Sequence, residues 1–144
     1  MSLFAQGHLP MHVHALRLSP GDDLRQALMA HASARKIKAG FILAAVGSLS
    51  EAQMRFAGQT SAAALIGDLE IVALSGTIAE GGAVHLHLAV ANAAGEVRGG
   101  HMLAGCKVRT TAEIILGHAT DLHFTRSRDP LTGYFELVPA PRVP

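Results

Sequence analysis

Three histidines carry the clearest chemistry in this chain. His85 and His87 flank Leu86 in the alternating run 84–91, and His101 follows the pair Gly99-Gly100. Successive side chains of a strand point to opposite faces, so His85 and His87 share one face, with backbones roughly 7 Å apart. Two imidazoles can converge on one ion from there. The segment Asn92-Ala93-Ala94-Gly95 predicts a hairpin that sets the strand holding His101 beside the one holding His85 and His87. Two glycines before His101 allow a bulge or a close backbone approach that re-aims its side chain. Leu86 and Leu88 point into the core, while Ala89 and Ala91 continue the histidine face with small residues, as in the floor of a pocket. Neutral imidazole is a common ligand for zinc and similar ions, and three protein ligands leave a fourth position for water or a substrate group. The expected cofactor is therefore a divalent transition metal, zinc first, held by His85, His87 and His101. The plainer alternative is a set of partly exposed polar residues.

Other residues gain meaning only beside that trio. Glu70 precedes Ile71-Val72 and Glu113 precedes Ile114-Ile115, so each opens an apolar strand. A buried acid there would need a cation or hydrogen-bond partner, and Arg17, Arg55 and Arg126 are the candidates. These five residues are either structural ion pairs or the polar lining of the histidine pocket. Ser48 and Ser75 lack the neighbouring histidine and acid that an activated nucleophile requires. His8, His12, His14, His118 and His123 share no geometry that the sequence reveals and read as solvated, and His31 as a surface or edge residue. Cys106, the single cysteine, reads as a small buried apolar residue, with no internal disulfide and a reducing compartment. The His-x-His spacing also occurs in the cupins, but their glutamate four or five positions onward is replaced by Ala91 and Asn92.

The elements that must position these groups follow from the hydropathy pattern. Residues 11–18 read as extended, and Pro20-Gly21-Asp22 breaks that run and offers Asp22 as a helix N-cap. Leu24, Ala27, Leu28 and Ala32 then form an apolar stripe at helical spacing, ending in Arg35, Lys36 and Lys38, which suit the negative end of the helix dipole. Residues 41–46 predict a short strand buried on both faces. Further strands are expected over 52–56, 69–78, 84–91, 97–103, 111–116, 122–126 and 134–138. One early helix and many strands give the α+β class. A length of 144 residues suits one domain, with a core of about 11–138 and short tails.

Composition narrows the partners. Apolar residues make up 49% of the chain and charged ones 16%, against roughly 25% charged in ordinary domains. A subunit interface is the simplest place to hide the surplus apolar surface. The formal charge of +1, with no basic run, argues against nucleic acid as a partner. The first eleven residues lack a basic start and long apolar run, and no stretch suits a membrane span, so the expected location is cytoplasmic, with no membrane partner.

Taken in order, Arg17-Leu18-Ser19-Pro20-Gly21-Asp22-Asp23-Leu24, Val46-Gly47-Ser48-Leu49, the run from Leu69 to Ile78, His85-Leu86-His87-Leu88-Ala89, Gly99-Gly100-His101, Thr111-Ala112-Glu113-Ile114-Ile115 and Arg126-Ser127-Arg128-Asp129 resemble the PPC domain, also called the domain of unknown function 296. The likeness spans nearly the whole chain and is carried by order and spacing. It implies an α+β domain with a mostly antiparallel central sheet, a homotrimer, and metal binding at His85, His87 and His101. In plants the same domain follows an AT-hook, an Arg-Gly-Arg-centred arm for the DNA minor groove. No Arg-Gly-Arg-Pro segment is present, so DNA binding is expected only by family analogy and as the weakest reading. The expected function is a metal-binding homotrimeric module that recognises a small molecule or a protein. The alternative is a metal-dependent enzyme in which Glu70 or Glu113 accepts a proton.

Overall fold

The computed structural model describes residues 11–142. Eight strands and one helix follow in the order β1 (Met11–Leu18), α1 (Leu24–Ala34), β2 (Ala39–Arg55), β3 (Ala63–Ala79), β4 (Val84–Ala91), β5 (Val97–Met102), β6 (Lys107–Ala119), β7 (Leu122–Arg128) and β8 (Phe135–Pro141), with a 3-10 turn at Glu80–Gly82. The α+β class and the antiparallel sheet are as the sequence and its resemblance imply. Among the described residues, no helix is long and apolar enough to cross a membrane.

The apolar stripe of α1 decides which face of the sheet becomes the core. Leu24, Leu28 and Ala32 are buried against Leu86, Leu88, Val90, Ile114 and Leu116 in one cluster. The helix starts one residue later than expected. Asp23, not Asp22, is the N-cap: its Oδ1 accepts from the Gln26 amide at 3.1 Å. Its Oδ2 accepts from the Gly105 amide at 2.7 Å, tying the helix start to the β5–β6 turn. Asp22 instead accepts from the Ser19 amide at 2.8 Å and closes the preceding turn.

The six-stranded sheet runs β1-β6-β2-β3-β4-β5, and every pairing is antiparallel. β2 is long enough to pair again at its far end, Met54 with Met102 and Arg55 with His101, so β2 to β5 close into a ring. The expectation of a short strand over 41–46 buried on both faces is corrected here. β2 is one element of 17 residues, and Leu43 and Val46 are exposed because α1 covers only the opposite face. Gly47 does not end it: register shifts flank this residue, and a side chain there would meet the Thr111 carbonyl.

The predicted hairpin between β4 and β5 forms. Asn92 Oδ1 accepts from the amides of Ala94 and Glu96, both at 2.9 Å, and Gly95 adopts φ +77°. β7 and β8 make a separate two-stranded sheet, tied to β3 by a hydrogen bond from Arg126 to Thr77.

Candidate metal centre

The β4–β5 register places His87 directly opposite His101, and His85 lies two positions along the same face of β4. Ring centroids are 5.1 Å apart for His85 and His87, 5.0 Å for His85 and His101, and 5.9 Å for His87 and His101. One donor nitrogen from each ring lies within 4.8 Å of the others, and this is the one such group among the described residues. Zinc–nitrogen bonds of about 2.0–2.1 Å put ligand nitrogens about 3.4 Å apart in a tetrahedron, so small side-chain rotations bring the trio onto one ion. The regular register shows that Gly99-Gly100 makes no bulge. These glycines allow close approach instead: a Cβ at Gly100 would lie 2.7 Å from the Arg55 carbonyl oxygen.

Electrostatics favour the ligating form. His85 is held below the ordinary histidine pKa by burial first and by the Arg126 charge second. His101 is lowered in the same way by burial and then by His85 and Arg55. Imidazole coordinates only when neutral, so the lowered values leave these nitrogens free of protons, while the two arginine charges by themselves oppose any cation. The donor set, three nitrogens with no carboxylate or thiolate, matches an open zinc site.

Residues 6–120 match the Plants and Prokaryotes Conserved (PCC) domain. The chain belongs to this family. It is 37% identical to a hypothetical protein of Salmonella enterica, with a TM-score of 0.91 over 96% of this chain and 100% of that one. It shares the fold of the metal-containing protein AF0104 from Archaeoglobus fulgidus at 24% identity and TM-score 0.77, over 94% of this chain and 97% of that one. The bifunctional protein GlmU of Synechococcus sp. (strain JA-3-3Ab) is 51% identical over 127 residues, 88% of this chain. That stretch is 20% of the GlmU length, so the chain spans about a fifth of this curated relative.

The five expected pocket residues separate in this chain. Arg126, on β7, donates from Nη2 to Thr77 Oγ1 at 2.9 Å, and Thr77 is the cross-strand neighbour of His85. Arg55 is the cross-strand neighbour of His101. Both therefore flank the trio. Glu70, Glu113 and Arg17 do not join them. Glu113 and Arg17 face each other across β1 and β6, and Glu70 lies opposite Ala91 on β3. Both glutamates are exposed, because the face they occupy is the one that α1 leaves bare. Among the described residues no ion pair joins them to Arg17, Arg55 or Arg126. The acid that does act on His85 is Glu136 of β8, which accepts from Thr132 Oγ1 at 3.0 Å. Sequence reading missed it, and the available signal was the return of β8 along the strand that carries Arg126.

The remaining histidines need correction too. His14 and His118 are not separate solvated residues, while His12 is exposed and His31, expected at the surface or an edge, packs against His14. His14 Nδ1 and His31 Nε2 are 3.2 Å apart, and the His118 ring lies 6.0 Å from both His12 and His14. His123 pairs with Glu80 at 2.9 Å, and His8 lies outside the described residues. Ser48 is buried with its hydroxyl 2.6 Å from that of Thr110. Cys106 is buried, its thiol pushed up to about 11 chiefly by burial.

Proposed function

We propose that this PCC domain is a metal-binding module, with zinc as the first candidate, held by His85, His87 and His101. In this reading three copies assemble, and the metal face recognises a small molecule or a protein. The observation that carries it is the convergence of three imidazoles from two paired strands, with donor nitrogens within 4.8 Å. The lowered affinity of His85 and His101 for protons supports the same reading, because it keeps the donors free near neutral pH. A fold shared with a protein described as metal-containing is in keeping with it.

A recognition module is preferred to a metal enzyme because neither proposed proton acceptor stands near the trio. Glu70 is opposite Ala91, and Ala91 is four residues from His87, about 13 Å along a strand. Glu113 sits on β6, which β2 and β3 separate from β4 in the main sheet order. A net charge of +1 supports leaving DNA out of the reading.

Elemental analysis of the purified protein tests the metal. The expected result is close to one zinc or similar ion per chain, and a sharp loss in the His87→Ala variant with the circular dichroism spectrum retained. A triple variant replacing His85, His87 and His101 by Ala that kept the parent's metal content after the same purification and mild chelation would overturn the reading.

A further inference from the structure

The surroundings of the trio carry more positive charge than a metal site needs. Three neutral imidazoles do nothing to offset the charge of a divalent ion. Arg126 is fixed beside His85 through Thr77, its Nε is buried without a hydrogen-bond partner, and it makes no ion pair among the described residues. Arg55 stands across from His101, and its Nη1 donates only to the main-chain oxygen of Gln59 at 3.3 Å. It makes no ion pair either among the described residues. Glu136 lies opposite Ser127 on the β7–β8 ribbon that carries Arg126. One carboxylate does not balance two arginines and a dication.

We propose that the metal face is a site for a small ligand bearing an oxyanion, a carboxylate or a phosphate group, bound between the ion on His85, His87 and His101 and the guanidinium groups of Arg126 and Arg55. The proposal rests on the metal reading above and specifies what the open coordination position takes. Guanidinium groups present a planar fork of donors that matches both oxyanions. Ser75 and Thr77, opposite His87 and His85 on β3, and Ala89 beyond them are small, so the face has room for such a group. Metal and anion should help each other bind, because each relieves a charge that the other leaves unbalanced, and by linkage the factor is the same in both directions.

Cobalt(II) substituted for zinc gives a visible spectrum that changes when a ligand enters the coordination sphere. The cobalt-loaded protein is titrated with acetate and with methyl phosphate at constant ionic strength. Metal-free protein is titrated in parallel while the arginine side-chain N–H signals are followed by nuclear magnetic resonance. A saturable spectral change is expected, weakened at least tenfold in Arg55→Gln and in Arg126→Gln with cobalt content unchanged, and the tighter of the two anions identifies the group. The one side-chain hydrogen bond of Arg55 among the described residues is to a main-chain oxygen, so its variant decides the matter should loss of the Thr77 tether disturb the Arg126 variant. Bound cobalt whose spectrum ignores both anions, or variants that bind them as the parent does, would overturn the proposal. Failure to bind cobalt at all would count against the metal reading alone. The metal-free titration then decides: saturable shifts at Arg126 and Arg55 support an oxyanion site, and their absence overturns it.

Discussion

The pair His14 and His31 shows how single residues set the response of this protein to acid. In the neutral pair one ring donates and the other accepts, across 3.2 Å. Protonating both would leave two cations facing each other, with His14 Nε2 buried and without a hydrogen-bond partner. Burial is the first cause that lowers both groups, followed for His14 by Arg35 and for His31 by His14. His118 is lowered in the same direction, again by burial first. Their folded-state values therefore lie below the unfolded value of about 6.5. The unfolded chain binds more protons below that value, so the stabilising contribution is complete above about pH 6.5 and is lost as the pH falls from there through the lower folded-state values. Urea midpoints measured from pH 8 down to pH 5 on metal-free protein should fall, and the fall should be shallower in His31→Gln. An unchanged slope would show that the pair does not report on folding. The main trio was legible in the sequence because two of its members share one strand and the third follows a short hairpin. The second cluster was not, since β1, α1 and β6 supply its members and only tertiary packing brings them together.

At the scale of elements, the proposed metal face depends on the closure of β2 onto β5. That contact consists of two register pairs, one of them Arg55 with His101, so it governs both a proposed ligand and a flanking cation. Gly100 allows a close approach there, since a Cβ at this position would lie 2.7 Å from the Arg55 carbonyl oxygen. Backbone cannot yield as a flexible side chain would, and overpacking of this kind costs about 1–3 kcal/mol. Gly100→Ala should therefore lower the urea midpoint and also weaken zinc binding, as read by competition with a chelator, because β5 must shift and carry His101 with it. Loss of stability with unchanged zinc affinity would mean that the ring closure does not position the ligand. The hairpin joining β4 to β5 was readable from Asn92 and Gly95, whose turn chemistry is local. The closure was hidden, because it depends on β2 running through Gly47 and Ser48 as one bent strand where the sequence suggested a break.

For the whole molecule, the face opposite α1 poses the main question of assembly. Val13, Leu43, Val46 and Val72 are 58%, 47%, 57% and 52% exposed in the single chain, and they lie on β1, β2 and β3, outside the core that α1 covers. His85 and His87 project from this same bare side, since Leu86, Leu88 and Val90 point into the core. The proposed homotrimer would cover the apolar residues and set each metal face within or beside a subunit contact, where a bound oxyanion would be shielded from water. Light scattering coupled to size exclusion should then return three times the 15.0 kDa chain mass, unchanged by reducing agent because Cys106 is buried. Placing a lysine at Val46 and another at Val72 leaves each chain's core intact but buries unpaired charge in the contact, an effective penalty of several kcal/mol per ion. The double variant Val46→Lys, Val72→Lys should run as a folded monomer with an unchanged circular dichroism spectrum. A parent protein that is monomeric at micromolar concentration would remove the trimer, and a trimer that survives both lysines would place the subunit contact on another surface.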